Sequence, residues 1–147
     1  MPATELFIEI LPCNEIDFLS VKKFINEFIL DDTDLKREQF LLAKFNSELV
    51  GFVRQKNYSA CSELCSLGVV EPHRLKGIGS KLVKAVIMQC KSPLYLVAII
   101  PEFFTPMGFY EINDYPHEIL NKLRYCQNSL CVPESYVVMK LNKSIVH

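Results

Sequence analysis

The stretch "VVEPHRLKGIGSKLVKAVI", residues 69–87, decides how this chain reads. A β-branched pair gives way to Pro72, then to a basic patch, then to Gly77 and Gly79, and at once to apolar residues at helical spacing. Small residues let backbone approach an anion closely, and a helix start offers unpaired N–H groups at the positive end of the dipole. Arg74 and Lys76 add charge to the same turn. The pattern points to an anion, in the first instance a phosphate. Two well-known phosphate loops do not fit. A dinucleotide fingerprint needs a third glycine where Leu82 stands, and an acid about 20 residues on, where the chain reads "VAII". The P-loop pattern needs Gly-Lys-Ser/Thr, and this chain has Gly-Ser-Lys. The plain structural alternative is a strand-to-helix turn that happens to use glycine.

The rest of the composition narrows the partners. A chain of 147 residues, half of them hydrophobic, can bury one sizeable core, so residues 1–147 read as a single domain and disorder is excluded. The formal net charge of −1 argues against a sequence-independent grip on nucleic acid. No apolar run approaches the roughly 20 residues that span a bilayer, so no membrane partner is expected. The start "MPATELFIEI" lacks the basic residues and apolar block of a signal peptide. Six cysteines without an export signal suggest a reducing cytoplasm and free thiols. Cys61 with Cys65, and Cys126 with Cys131, could in principle hold zinc, but their spacers are wider than the tightest metal pairs. Small core side chains are the better reading, and no metal is expected.

Along the chain, "LFIEI" reads as a first strand, and Asn14 followed by Asp17 as a helix start. Phe18, Val21, Phe24, Ile25 and Phe28 continue at helical spacing. "FLLAKF" and "LVGFVRQ" flank the polar break Asn46-Ser47-Glu48, which suits a hairpin, and "CSELCSLGVV" forms a further strand. The helix "GIGSKLVKAVIMQCK" puts Ile78, Leu82, Val83, Val86 and Ile87 on one face. "LYLVAII" is a buried-strand run, "PEFFTPMGF" a short helical turn, and "YVVMKL" a last strand. The expected fold is therefore α/β, or α+β by another convention. Its order is β-α-β-β-β-α-β-α-β with a C-terminal strand, giving a mixed, mostly antiparallel central sheet flanked by helices.

"RLKGIG" fits the Arg/Gln-x-x-Gly-x-Gly/Ala signature of the GNAT superfamily of acetyl-CoA-dependent N-acetyltransferases. The surrounding "LCSLGVVEPHRLKGIGSKLV" resembles that superfamily's strand, proline-containing turn, glycine loop and helix, and "LYLVAIIPEFFTPMGF" resembles the strand and helix that follow. Within the superfamily, "SELCSLGVVEPHRLKGIGS" and "PEFFTPMGF" look most like the acetyltransferase domains of N-acetylglutamate synthases. The resemblance implies acetyl-CoA as donor. It implies that the loop (Leu75, Lys76, Gly77, Ile78, Gly79 and Ser80, with Arg74 before it) holds the pyrophosphate of coenzyme A. It also implies that the backbone of Leu67, Gly68 and Val69 pairs with the pantetheine arm.

Acetyl transfer requires a neutral amine, donors for the developing oxyanion and a route for protons. A lysine-like amine with a pKa of about 10.4 is neutral only about once in 2,500 molecules at pH 7, whereas an α-amine near 7.8 is neutral over about a tenth of the time. The resemblance makes Glu63 the catalytic residue that receives the amine's proton. It stands six residues before Val69, and in an alternating strand it shares a face with Cys61 and Cys65. Where many relatives carry a proton-donating tyrosine, four residues before the glycine of Gly-Phe, this chain has Phe104. Where the synthases' strand often has an arginine, it has Cys65, which cannot grip a carboxylate bidentately. His73, Arg54, Lys56 and Arg124 could supply charge for an acceptor, and otherwise read as solvated surface charges. The C-terminal third is expected to frame the acceptor pocket. The expected acceptor is a primary amine of a small molecule or amino acid, and a homodimer is left open. A second reading is an acyl-CoA-binding sensor or interaction module without efficient transfer.

Overall fold

Among the residues that the computed structural model describes, which are 7–71, 74, 77–130 and 134–142, seven strands and four helices follow the order expected from the sequence, with the fourth helix, before the last strand, additional to it. They are β1 (Glu9–Pro12), α1 (Glu15–Glu27), β2 (Phe40–Phe45), β3 (Glu48–Asn57), β4 (Ser62–Val69), α2 (Ile78–Gln89), β5 (Leu94–Ala98), α3 (Pro101–Phe104), β6 (Phe109–Glu111), α4 (His117–Ser129) and β7 (Val137–Leu141). The strands form one sheet in the order β1-β2-β3-β4-β5-β7-β6. The β1–β2, β2–β3, β5–β7 and β6–β7 ladders are antiparallel, whereas β4 and β5 run parallel. That parallel ladder comprises two residue pairs, Ser62 with Leu94 and Glu63 with Tyr95.

Local chemistry accounts for the boundaries. The Asn14 side chain accepts a hydrogen bond from the Asp17 amide at 2.7 Å, capping α1 as the sequence predicts. Asn46 and Ser47 both adopt left-handed backbone, with φ of 51° and 65°, which matches the tight turn that a twisted hairpin needs. Glu48, read as part of the break, instead opens β3 and pairs with Phe45. The first strand lies later than expected. It runs on through Leu11 to Pro12, because β1 is the edge of the sheet and an edge strand tolerates a proline.

The chain divides into two compact units, one of Met1–Arg54 with Ser66–Val86 and the other of Gln55–Cys65 with Ile87–His147. In the first, Val21, Ile25, Phe40, Leu42 and Phe52 form the buried core, and Phe24 and Phe28 stack on Phe52 at 6.3 and 6.2 Å. Ile78, Leu82, Val83 and Val86 are the buried face of α2, each worth about 1.5–3 kcal/mol of burial, while Ile87 at its end is half-buried. In the second unit, Cys61, Tyr95, Ile119 and Val138 form the core, with Tyr58, Val97 and Leu123 packed against it. The five described cysteines are buried and in no disulfide, and Cys131 lies outside the described residues. Among the described residues no helix is long and apolar enough to cross a membrane.

Candidate active site

The first unit carries the glycine loop. Leu75 and Lys76 lie outside the described residues; Arg74, Gly77, Ile78, Gly79 and Ser80 lie within them. Gly77 has φ of +78°, a conformation that suits glycine, and a side chain added there would meet nothing among the described residues within 4 Å. Helix α2 begins at the next residue, and the amide of Lys81 donates back to the Gly77 carbonyl at 3.1 Å. The amides of Ile78, Gly79 and Ser80 therefore precede the helix's own bonds. No acidic residue occupies that first turn. Open space over a left-handed glycine, three amides and the positive dipole end suit an anionic group such as a pyrophosphate.

Arg74 is turned back onto the strand before the loop. Its Nε donates to the Val69 carbonyl at 2.7 Å, its Nη1 to Glu71 at 3.1 Å, and its guanidinium covers the Phe28 ring at 4.9 Å. The Val70 amide donates to Val50 on β3 at 2.9 Å. Carbonyl and following amide point opposite ways across a trans peptide, so Arg74 takes the Val69 carbonyl on the side away from β3. Leu67 and Val69 are half-buried. Gly68 is buried, and an added Cβ would stand 2.5 Å from Cζ of Phe52, so the close approach of that ring requires glycine.

Glu63 lies in the second unit, and its surroundings are the main surprise. It is 0% exposed, so it is not a solvated edge residue. Strand β4 is buried at every position from Ser62 to Ser66, so burial alone shows no alternation. Ser66 breaks the regular strand geometry with φ of +49°. The Tyr58 hydroxyl donates to Oε1 of Glu63 at 3.0 Å. Nζ of Lys122 stands 2.9 Å from Oε2, off the direction of a hydrogen bond, so Oε2 is a wholly buried acceptor with no hydrogen bond. Burial first, then the charge of Glu63 and the hydrogen bond to it, push the Tyr58 hydroxyl well above the usual phenol range. Tyr58 is thus held as a phenol that donates to the carboxylate. The Cys61 thiol is likewise pushed up, by burial and by Glu118 and Glu63.

Neither Tyr58 nor Lys122 emerges from reading the sequence. Tyr58 sits in the β3–β4 turn, closed by a 2.8 Å bond from its amide to the Cys61 carbonyl. Lys122 did leave a signal. In α4 the buried positions are Ile119, Lys122 and Cys126, the spacing of an apolar stripe with a lysine in its middle. Phe104 is buried edge-on against Phe109, with ring centroids 5.8 Å apart. Tyr95 is in the core beneath Lys140, and Tyr110 is exposed. Arg54 overturns its reading as a surface cation. It is fully buried, giving Nε to Gln39 and Nη2 to the carbonyls of Thr33 and Asp34, each at 2.8 Å.

No curated protein matches the chain in sequence. Among solved structures, N-acetylglutamate synthase from Neisseria gonorrhoeae, complexed with coenzyme A and N-acetyl-glutamate, is 18% identical, with a TM-score of 0.73 over 95% of this chain and 36% of its own. This chain therefore spans about a third of that synthase. Rv2747 from Mycobacterium tuberculosis, in complex with CoA, is 15% identical, with a TM-score of 0.72 over 90% of this chain and 98% of its own. Naa50 of Arabidopsis thaliana, in complex with the bisubstrate analogue CoA-Ac-MVNAL, is 18% identical, with a TM-score of 0.64 over 92% of this chain and 98% of its own. At these identities the likeness is one of fold. The sequence itself matches the acetyltransferase (GNAT) family over residues 5–125, most of its length, and the chain belongs to that family.

Proposed function

We propose that this acetyltransferase moves the acetyl group of acetyl-CoA to a primary amine of a small molecule or amino acid by direct attack, with Glu63 receiving the amine's proton. Acetyl-CoA supplies the thioester, whose C–S bond breaks as the C–N bond forms, leaving an amide and coenzyme A. The chain's own residues divide the remaining work. The amides of Ile78, Gly79 and Ser80, with the turn at Gly77, hold the pyrophosphate; Leu75 and Lys76 belong to the same loop. The backbone of Leu67, Gly68 and Val69 pairs with the pantetheine, and Arg74 must release the Val69 carbonyl if that group is to take part. Glu63 takes the proton that the amine loses on becoming an amide.

The observation that carries this reading is the Glu63 carboxylate. A buried acceptor without a hydrogen bond is costly, and native folds keep such a group where it has work to do. Among the described residues two buried side-chain atoms lack a hydrogen bond, Arg54 Nη1 and Glu63 Oε2, and Oε2 is the one on an acid, on the strand that leads into the glycine loop. The test is coenzyme A release from acetyl-CoA across a panel of amino acids, polyamines and peptide N-termini. Release with at least one small amine supports the proposal. Acetyl-CoA binding without release on any of them would return the sensor reading, which Phe104, with no proton to donate, also suits.

A further inference from the structure

We infer that Lys122 is a positioning residue for acetyl transfer, holding the Glu63 carboxylate in place by charge at Oε2 while Tyr58 holds Oε1. The inference rests on the assignment of Glu63 above. A lysine in the middle of a buried helix stripe is expensive, and burying its ammonium requires compensation. Lys122 finds it at Glu63, 2.9 Å away, with 7% of its side chain exposed against 0% for the glutamate. The geometry of the pair carries the argument. Tyr58 uses Oε1 through a directed hydrogen bond, whereas Lys122 meets Oε2 without one. The carboxylate is thus pinned at one oxygen by a directed hydrogen bond and held at the other by charge. A pair serving the fold alone would gain most by completing a hydrogen bond at the second oxygen as well.

The two partners come from separate stretches of sequence. Tyr58 is on the turn before β4 and Lys122 on α4, so the C-terminal helix contributes to the environment of the reacting group. Lys122 does not touch the reacting atoms in this account; it acts through Glu63.

A double-mutant cycle on the full chain tests this, using steady-state kinetics with the best amine of the panel. Lys122→Met is expected to lower kcat by about a hundredfold with the KM for acetyl-CoA unchanged, as misplacement of a reacting group does. Lys122→Arg, which restores a cation, is expected to recover part of the loss. In a Glu63→Gln background, Lys122→Met should cost nothing further. Two results would overturn the inference: Lys122→Met turning over at the unchanged rate, or its loss multiplying with that of Glu63→Gln. If Lys122→Met fails to fold, the double variant, which removes both charges, is compared with Glu63→Gln alone, and a slower double variant overturns it. An unchanged rate in Glu63→Gln would instead remove the base assignment, and this inference with it.

Discussion

Nζ of Lys122 lies 2.9 Å from Oε2 of Glu63, and both side chains are closed to water. Such a pair is easier to remove whole than to break. Lys122→Met leaves a buried carboxylate without its cation and should destabilise the protein by about 3–5 kcal/mol. The double variant Glu63→Gln/Lys122→Met should regain most of that. Urea denaturation of the two proteins checks the prediction, and equal losses would show that the charges are not coupled.

Gly68, on the strand before the loop, and Gly77, within it, should fail for different reasons. Gly68→Ala drives a methyl against the Phe52 ring, where an added Cβ stands 2.5 Å from Cζ, and overpacking of this kind costs about 1–3 kcal/mol. Gly77→Ala meets open space, so its cost comes from φ of +78° alone, about 1–2 kcal/mol. The functional contrast is sharper. Gly77→Leu, with a bulky chain over the amides, should weaken coenzyme A binding by calorimetry, and unchanged affinity would remove the loop from the cofactor site.

Stability should fall on the alkaline side. Burial, then the Asp17 charge, push the Cys13 thiol from 9.0 up to about 11, and Cys61 and Tyr58 are shifted the same way. A group whose folded pKa is raised keeps its proton in the folded state after the unfolded chain has lost it. Its contribution is therefore complete below about pH 9 and declines as the pH rises towards about 11. Denaturation midpoints at pH 7.5, 9 and 10.5 should drop across the upper interval, and Cys13→Ala should flatten the decline.

The sequence was most legible where chemistry is local. The Asn14 cap, the apolar face of α2 and the Asn46-Ser47 turn depend on neighbours within a few residues, and each is where its pattern put it. The left-handed Gly77 at the start of α2 was legible for the same reason: glycine and helix start coincide within one turn. Glu63 could be picked out by its place before the loop, but its surroundings could not. Tyr58 comes from the preceding turn and Lys122 from a helix 59 positions further along the chain, and only the fold brings them together. Arg54 misled for a related reason. An arginine at the end of an apolar strand reads as solvated, yet the carbonyls of Thr33 and Asp34 and the Gln39 side chain close over it.

The central claim is that Glu63 takes the amine's proton while other residues hold acetyl-CoA. The most direct test pairs acetyl-CoA affinity with the rate of acetyl transfer in Glu63→Gln, an isosteric change that keeps an acceptor near Lys122. The account predicts affinity within about twofold of the unchanged protein and a rate lower by about a hundredfold or more. Equal rates in the two proteins would contradict it.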